Sequence, residues 1–223
     1  MSSARAPQAK SGKIASFDLD GTVTDISFVD SVWLEGIPRL FAIKNSLSFS
    51  NARKVVTNEY GKVGRERLEW YNLSYWLARF GLDVSAEEVL NSYKHKIRVY
   101  PDVIDVLRLF RERDFRLIIV TNARREFADL ELEETGIARY FDRVFSSTSD
   151  FGLIKKTVSL YQKVCDLCGV SPREMVHVGD DECFDFEVPT KLGIMAFHLD
   201  RTGKLSGDNV VHSLRELSRK LLD

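Results

Sequence analysis

Five short apolar runs, each ending abruptly in polar residues and most separated by helix-length patterns, constrain this chain more than any other feature. Ile14-Ala15-Ser16-Phe17 stops at Asp18. Phe115-Arg116-Leu117-Ile118-Ile119-Val120 stops at Thr121-Asn122. Val144-Phe145 precedes Ser146-Ser147-Thr148, Met175-Val176-His177-Val178 precedes Gly179-Asp180-Asp181, and Ile194 to His198 makes the fifth. Runs this short and this apolar are buried strands. Amphipathic stretches fill the gaps: 102–113, with Val103, Val106, Leu107 and Phe110 at helical spacing, then 125–134, 156–168 and 183–192, with 214–222 closing the chain. Strands alternating with helices need right-handed crossovers, which give a parallel sheet covered on both faces. The fold class is therefore α/β.

One segment interrupts the alternation. From 26 to 100 there is no convincing strand run, only helical stretches, the clearest at 65–80 and 86–97, with Ser85 as an N-cap for the second. The division expected is a flexible tail at 1–12, an α/β core at 13–25 and 101–223, and a helical insert at 26–100. The insert holds all three tryptophans (Trp33, Trp70 and Trp76) and 11 Lys/Arg against 8 Asp/Glu. At helical spacing such aromatics more often form the insert's own core than a ligand lining.

Composition narrows the partners. A net charge of −1 offers no global basic field for nucleic acid or an anionic membrane. No stretch reaches the roughly 20 apolar residues of a membrane span. With 44% hydrophobic residues the chain can bury a sizeable core. Cys165, Cys168 and Cys183, an odd count without an export signal, suggest a reducing, cytoplasmic setting. Cys165 and Cys168 are spaced C-x-x-C. They lack the second pair a zinc site needs and sit in a helical pattern, so they read as small core hydrophobes. The sequence does not specify an oligomeric state.

In a parallel sheet the carboxyl ends of the strands share one edge, where ligands bind. That edge would gather Asp18 and Asp20 from the first run, Thr121 and Asn122 from the second, Lys155 after the third, and Asp180 with Asp185 after the fourth. Taken singly, Asp-x-Asp-Gly is turn chemistry and Lys155 beside Lys156 a solvated helix start. Their joint placement suits phosphoryl transfer. Asp18 and Asp180, with the main-chain carbonyl of Asp20, offer the hard oxygens that Mg²⁺ takes. Asp18 can attack phosphorus, forming an aspartyl-phosphate. Asp20 can protonate the leaving oxygen and later activate water. Thr121, Asn122 and Lys155 would hold phosphoryl oxygens.

These residues resemble the haloacid dehalogenase superfamily over the whole chain after the tail. The resemblance rests on Asp18-Leu19-Asp20-Gly21-Thr22, on Thr121-Asn122, on Lys155, and on Gly179-Asp180 with Asp185. It implies a Rossmann-like sheet of strand order 5-4-1-2-3, an all-helical cap inserted after the first strand, and Asp185 supporting the metal or the lysine. The family lysine is usually followed by proline. Here Lys156 follows, and helix neighbours point about 100° apart, so only one of the two can reach a given phosphate. The founding dehalogenases lack the aspartate two residues after the nucleophile, and Asp20 therefore favours a magnesium-dependent phosphatase acting on a small phosphorylated metabolite. Alternatives are another capped reaction of the superfamily (phosphomutase, phosphonate hydrolase or dehalogenase) and a non-catalytic relative that binds a phosphorylated ligand or a partner protein.

Overall fold

The structure, a computed structural model, describes residues 13–222; the tail expected at 1–12 lies outside the described residues. Strand β1 (Ile14–Phe17) opens the chain and is buried along its whole length. The insert follows: α1 (Ser27–Ser31), a wide π turn at Val32–Gly36, α2 (Ile37–Asn45), α3 (Phe49–Val63), a 3-10 turn at Leu68–Tyr71, α4 (Leu73–Arg79), α5 (Ala86–Tyr93), and a 3-10 turn at Lys94–Lys96. The chain then alternates: α6 (Val103–Glu112), β2 (Arg116–Thr121), α7 (Arg125–Glu134), β3 (Arg143–Ser146), α8 (Ser147–Phe151), α9 (Val158–Cys168), β4 (Met175–Gly179), a π turn at Glu182–Glu187, α10 (Val188–Leu192), β5 (Met195–Leu199), β6 (Val210–Val211) and α11 (Leu214–Leu222).

All strand pairs are parallel, in the order β3-β2-β1-β4-β5-β6. Read from the other end, this is the expected 5-4-1-2-3 with the two-residue β6 added outside β5. Side chains of β2 alternate as the pleat requires. Leu117 and Ile119 pack with α6, α7 and α11 on one face, through Val106, Phe110, Leu132 and Leu217. Ile118 and Val120 pack with α9 on the other, through Leu160, Tyr161 and Val164. Cys165 and Cys168 are buried, unbridged, in that second layer.

Residues 26–100 form helices around an apolar cluster of their own, with Phe28, Val32, Val56, Leu73 and Trp76 buried together. The two crossings into this body lie side by side: Asp25 N–H donates to Arg98 O at 2.9 Å and Tyr100 N–H to Val23 O at 3.1 Å. Core helix α7 contributes Phe127 to the insert's cluster, so the insert rests on the core beside β2. The helix expected at 65–80 is broken. Gly64 at φ 78° ends α3, Arg67 is extended, and extended Asn72 accepts the Tyr75 N–H at 3.1 Å, starting α4 afresh. Asparagine competes for backbone donors in this way, which favours caps over helix interiors. Ser85 caps α5 in a reciprocal pair with Glu88, as its position suggested.

Candidate active site

The site is assembled by register. Phe17 pairs with Ile119 on one side and Val178 on the other, which brings Asp18 level with Val120 and Gly179, one residue short of Thr121 and Asp180. Its N–H continues the ladder, donating to Val178 O at 2.9 Å. Beyond Asp18 the chain turns sharply: Val23 and Thr24 N–H both return to Leu19 O. Gly21 has φ 80°, and a Cβ there would collide with the Asp180 carboxylate. Gly179 is constrained likewise, since a Cβ would collide with the Asp185 carboxylate. Both glycines are needed because backbone and carboxylates approach so closely.

Asp18, Asp180 and Asp185 each offer an oxygen, all within 4.8 Å of one another. The amine among them comes from Lys156, not Lys155. Lys156 Nζ lies 2.5 Å from Asp18 Oδ1 and 2.5 Å from Asp185 Oδ1, with its side chain 2% exposed. Lys155 points outward to Glu66 of the insert, at 2.7 Å. The reason for this correction is local. The helix starts at Val158 with Thr157 as N-cap, so both lysines precede it in non-helical backbone, where neighbours diverge. The sequence reading placed the helix two residues too early.

Electrostatics follow from crowding charges out of water. Burial pushes the Asp18 carboxyl well above the ordinary carboxylate range; Lys156 opposes the rise, and Asp185 and Asp180 add to it. Asp180 keeps an exposed edge, but partial desolvation among its neighbours and the charge of Asp185 push it to about 6. Asp185 is also buried, yet Lys156 and then His177 hold it at about 2. For Lys156 the cost of burial is outweighed by Asp18 and Asp185, which raise its pKa. His177 sits beneath, hydrogen-bonded to Ser16, Tyr161 and Asp185 at 2.8, 2.9 and 3.0 Å, and burial lowers its pKa, keeping it neutral. Three clustered carboxylates with a single buried ammonium leave negative charge uncompensated, and hard oxygen donors in that state suit a divalent cation such as Mg²⁺.

Asp20 faces elsewhere. Its side chain meets Glu131, a fully buried carboxyl of α7 whose Oε2 accepts from Thr24 Oγ1 at 2.6 Å. Asp20 Oδ1 and Glu131 Oε1 are buried with no hydrogen-bond donor among the described residues, so a bond between the two requires one carboxyl to carry a proton. Burial raises both: Asp20 to about 6, with Glu131 opposing as a hydrogen-bond partner, and Glu131 well above its ordinary value, with the Asp20 charge adding to the rise. Sequence reading missed Glu131. Its only signal was a glutamate between Leu130 and Leu132, on a face that the α7 pattern leaves apolar.

Thr121 is buried at the end of β2, its Oγ1 accepting from Ala123 N–H at 3.0 Å, so the hydroxyl hydrogen remains to be donated. Asn122 Oδ1 accepts from Ser147 Oγ at 2.7 Å, which leaves its amide N–H groups as donors. Next to Asp20 a cavity of about 340 Å³ opens between core and insert, lined by Trp33, Trp70, Tyr71, Asn122 and Phe127 among others.

Comparison with known proteins identifies relatives in sequence and in fold. The chain is 28% identical over 165 residues to the GMP/IMP nucleotidase YrfG of Escherichia coli (strain K12), covering 74% of this chain and 72% of the relative. A crystal structure of an HAD phosphatase from Thermococcus onnurineus superposes with TM-score 0.82 at 30% identity, covering 94% of this chain and 97% of that one. The 2-haloacid dehalogenase from Pseudomonas syringae pv. Tomato DC3000 shares the fold at TM-score 0.66 and 21% identity, covering 94% and 98%. Residues 13–185 match the family model of haloacid dehalogenase-like hydrolases, and the chain belongs to that family of hydrolases.

Proposed function

We propose that the protein is a magnesium-dependent phosphatase that hydrolyses a small phosphomonoester through a phosphorylated Asp18. The observation carrying this reading is the pair of environments two residues apart: Asp18 beside Lys156 among carboxylates, and Asp20 beside Glu131, turned toward the cavity. Two carboxyls so close in sequence but differently surrounded suit nucleophile and general acid.

In the first step an Asp18 carboxylate oxygen bonds to phosphorus while the bond to the leaving oxygen breaks. Asp20 delivers its proton to that oxygen. In the second, Asp20 as carboxylate takes a proton from water, whose oxygen attacks phosphorus and breaks the bond to Asp18. Lys156 and the Thr121 hydroxyl, with Asn122 beside them, would hold phosphoryl oxygens. Asp18, Asp180 and the main-chain carbonyl of Asp20, steadied by Asp185, would hold a magnesium ion, which when bound neutralises charge between nucleophile and phosphate. Residues 26–100 serve as a cap over residues 13–25 and 101–223, shielding the site from bulk water. The nucleotidase relative supports a small phosphorylated metabolite as substrate. The unbridged Cys165 and Cys168 support a cytoplasmic setting. No helix among the described residues is long and apolar enough to cross a membrane.

Dehalogenation is disfavoured by Asp20 and Glu131, since displacing a halide requires no proton donor. The test is hydrolysis of an aryl phosphate with and without magnesium. Turnover is expected only with the metal and is expected to vanish in Asp18→Asn; activity surviving chelation or that substitution would refute the reading.

A further inference from the structure

The cavity beside Asp20 differs from the insert's packed core. Trp76 is fully buried and donates its indole N–H to Trp70 O at 3.1 Å, as a core tryptophan should. Trp33 and Trp70 are partly exposed, line the cavity, and find no protein acceptor for their indole N–H among the described residues. Their rings run nearly parallel to each other (6.5 Å between centroids, 22° between planes), and Trp33 also parallels Phe127 (5.7 Å, 11°). The Arg65 guanidinium lies 5.4 Å over Trp70 and has no carboxylate within 4 Å among the described residues. The wall is thus a set of aligned π surfaces capped by a free planar cation.

The polar end is as specific. Asp30 lines the same cavity as Asp20 with no cationic partner within 4 Å among the described residues. A second carboxylate there repels an anionic substituent and accepts hydrogen bonds from hydroxyls. Arg124, the other cation of the lining, is neutralised by Glu126 at 2.8 Å. A volume of about 340 Å³ is at the lower end of small-molecule sites.

We propose that this cavity is a nucleoside subsite, with Asp30 accepting from ribose hydroxyls and Trp33, Trp70 and Arg65 stacking the base, so that the substrate class is a nucleoside monophosphate. The proposal rests on the phosphatase reading of Asp18. Stacking of this kind tolerates any base, being worth about 1–3 kcal/mol by alanine substitution, or roughly 5- to 150-fold.

The experiment compares kcat/KM for inosine and cytidine 5′-monophosphates with that for ribose 5-phosphate, which lacks the base. The unsubstituted protein, Trp70→Ala, Trp70→Phe and Trp33→Leu are assayed with magnesium. A nucleotide preference of about tenfold or more is expected. It should fall toward unity in Trp70→Ala and Trp33→Leu and persist in Trp70→Phe. If ribose 5-phosphate is hydrolysed as well as the nucleotides, or the preference survives in Trp70→Ala and Trp33→Leu, the subsite is overturned while the phosphatase reading stands. If no phosphate ester is hydrolysed, the phosphatase reading fails and titration of intrinsic fluorescence with free inosine decides the cavity. Saturable quenching, weakened in Trp70→Ala, supports the subsite; no quenching overturns it.

Discussion

At the scale of single residues, the two adjacent lysines separate structural from chemical roles. Lys156 is buried between Asp18 and Asp185. Removing it leaves buried carboxylates unpaired, a loss of about 3–5 kcal/mol in comparable pairs. Lys155 and Glu66 are 39% and 70% exposed, so solvent screens the pair and it adds little to stability. Lys156→Ala should therefore destabilise the protein strongly and abolish turnover, whereas Lys155→Ala should change the thermal midpoint little; equal effects would refute the assignment. Glu131 gives a second contrast. Glu131→Gln keeps a hydrogen-bond donor for Asp20 without needing a proton. Glu131→Ala leaves the Asp20 carboxyl unsupported in a dry site. Positioning of the general acid predicts that kcat falls in Glu131→Ala by about 10–100-fold, less than the roughly 100- to 10,000-fold of a whole general acid, and largely survives in Glu131→Gln. Asp18 and Asp180 were legible in sequence because each follows the end of an apolar run, a pattern local to a few residues. Glu131 was not, because its meaning comes from a contact with Asp20 across more than a hundred residues.

At the scale of elements, the turn after β1 is where backbone geometry and chemistry meet. Gly21 takes a left-handed conformation with no room for a side chain beside Asp180. Gly21→Ala should reduce the apparent magnesium affinity measured from activity, because Asp180 must move, besides costing stability at a positive φ. Unchanged magnesium dependence would contradict that account. In the insert, amphipathic spacing identified a helical body, but the break at Asn72 depended on one side chain competing for a backbone N–H. Asn72→Ala is expected to cost about 1 kcal/mol as a lost N-cap, read as a shift in denaturant midpoint. That break also matters to the cavity, since it puts Trp70 and Tyr71 in a 3-10 turn facing Asp20 rather than continuing α4.

At the scale of the whole molecule, four crowded carboxyls, of which Asp18 and Glu131 are buried, Asp20 is half-buried and Asp180 is exposed, should make stability depend on pH and metal together. Asp20 and Asp180 rise from 3.8 to about 6 on folding, and Asp18 and Glu131 also rise. The folded state thus binds more protons than the unfolded chain across that window, so their contribution to stability falls as pH increases from 3.8 to about 6. Asp185, held at about 2, acts with the opposite sign below the window. Metal-free protein should lose thermal stability across the window, and magnesium should reverse the loss near neutrality, by about 2.7 kcal/mol at a hundredfold excess over Kd. A midpoint indifferent to magnesium at neutral pH would argue against the carboxylate cluster as the metal site. The sequence by itself determined the parallel α/β sheet, the helical insert and the aspartates at the strand ends, because strand burial, helical periodicity and the β–turn boundary are short-range signals. Only the tertiary structure decided which lysine enters the site, that Glu131 supports Asp20, and that Trp33 and Trp70 line a cavity while Trp76 fills the core. Those outcomes depend on how distant segments pack, and neighbouring residues in sequence can be turned to opposite environments by a single capped turn.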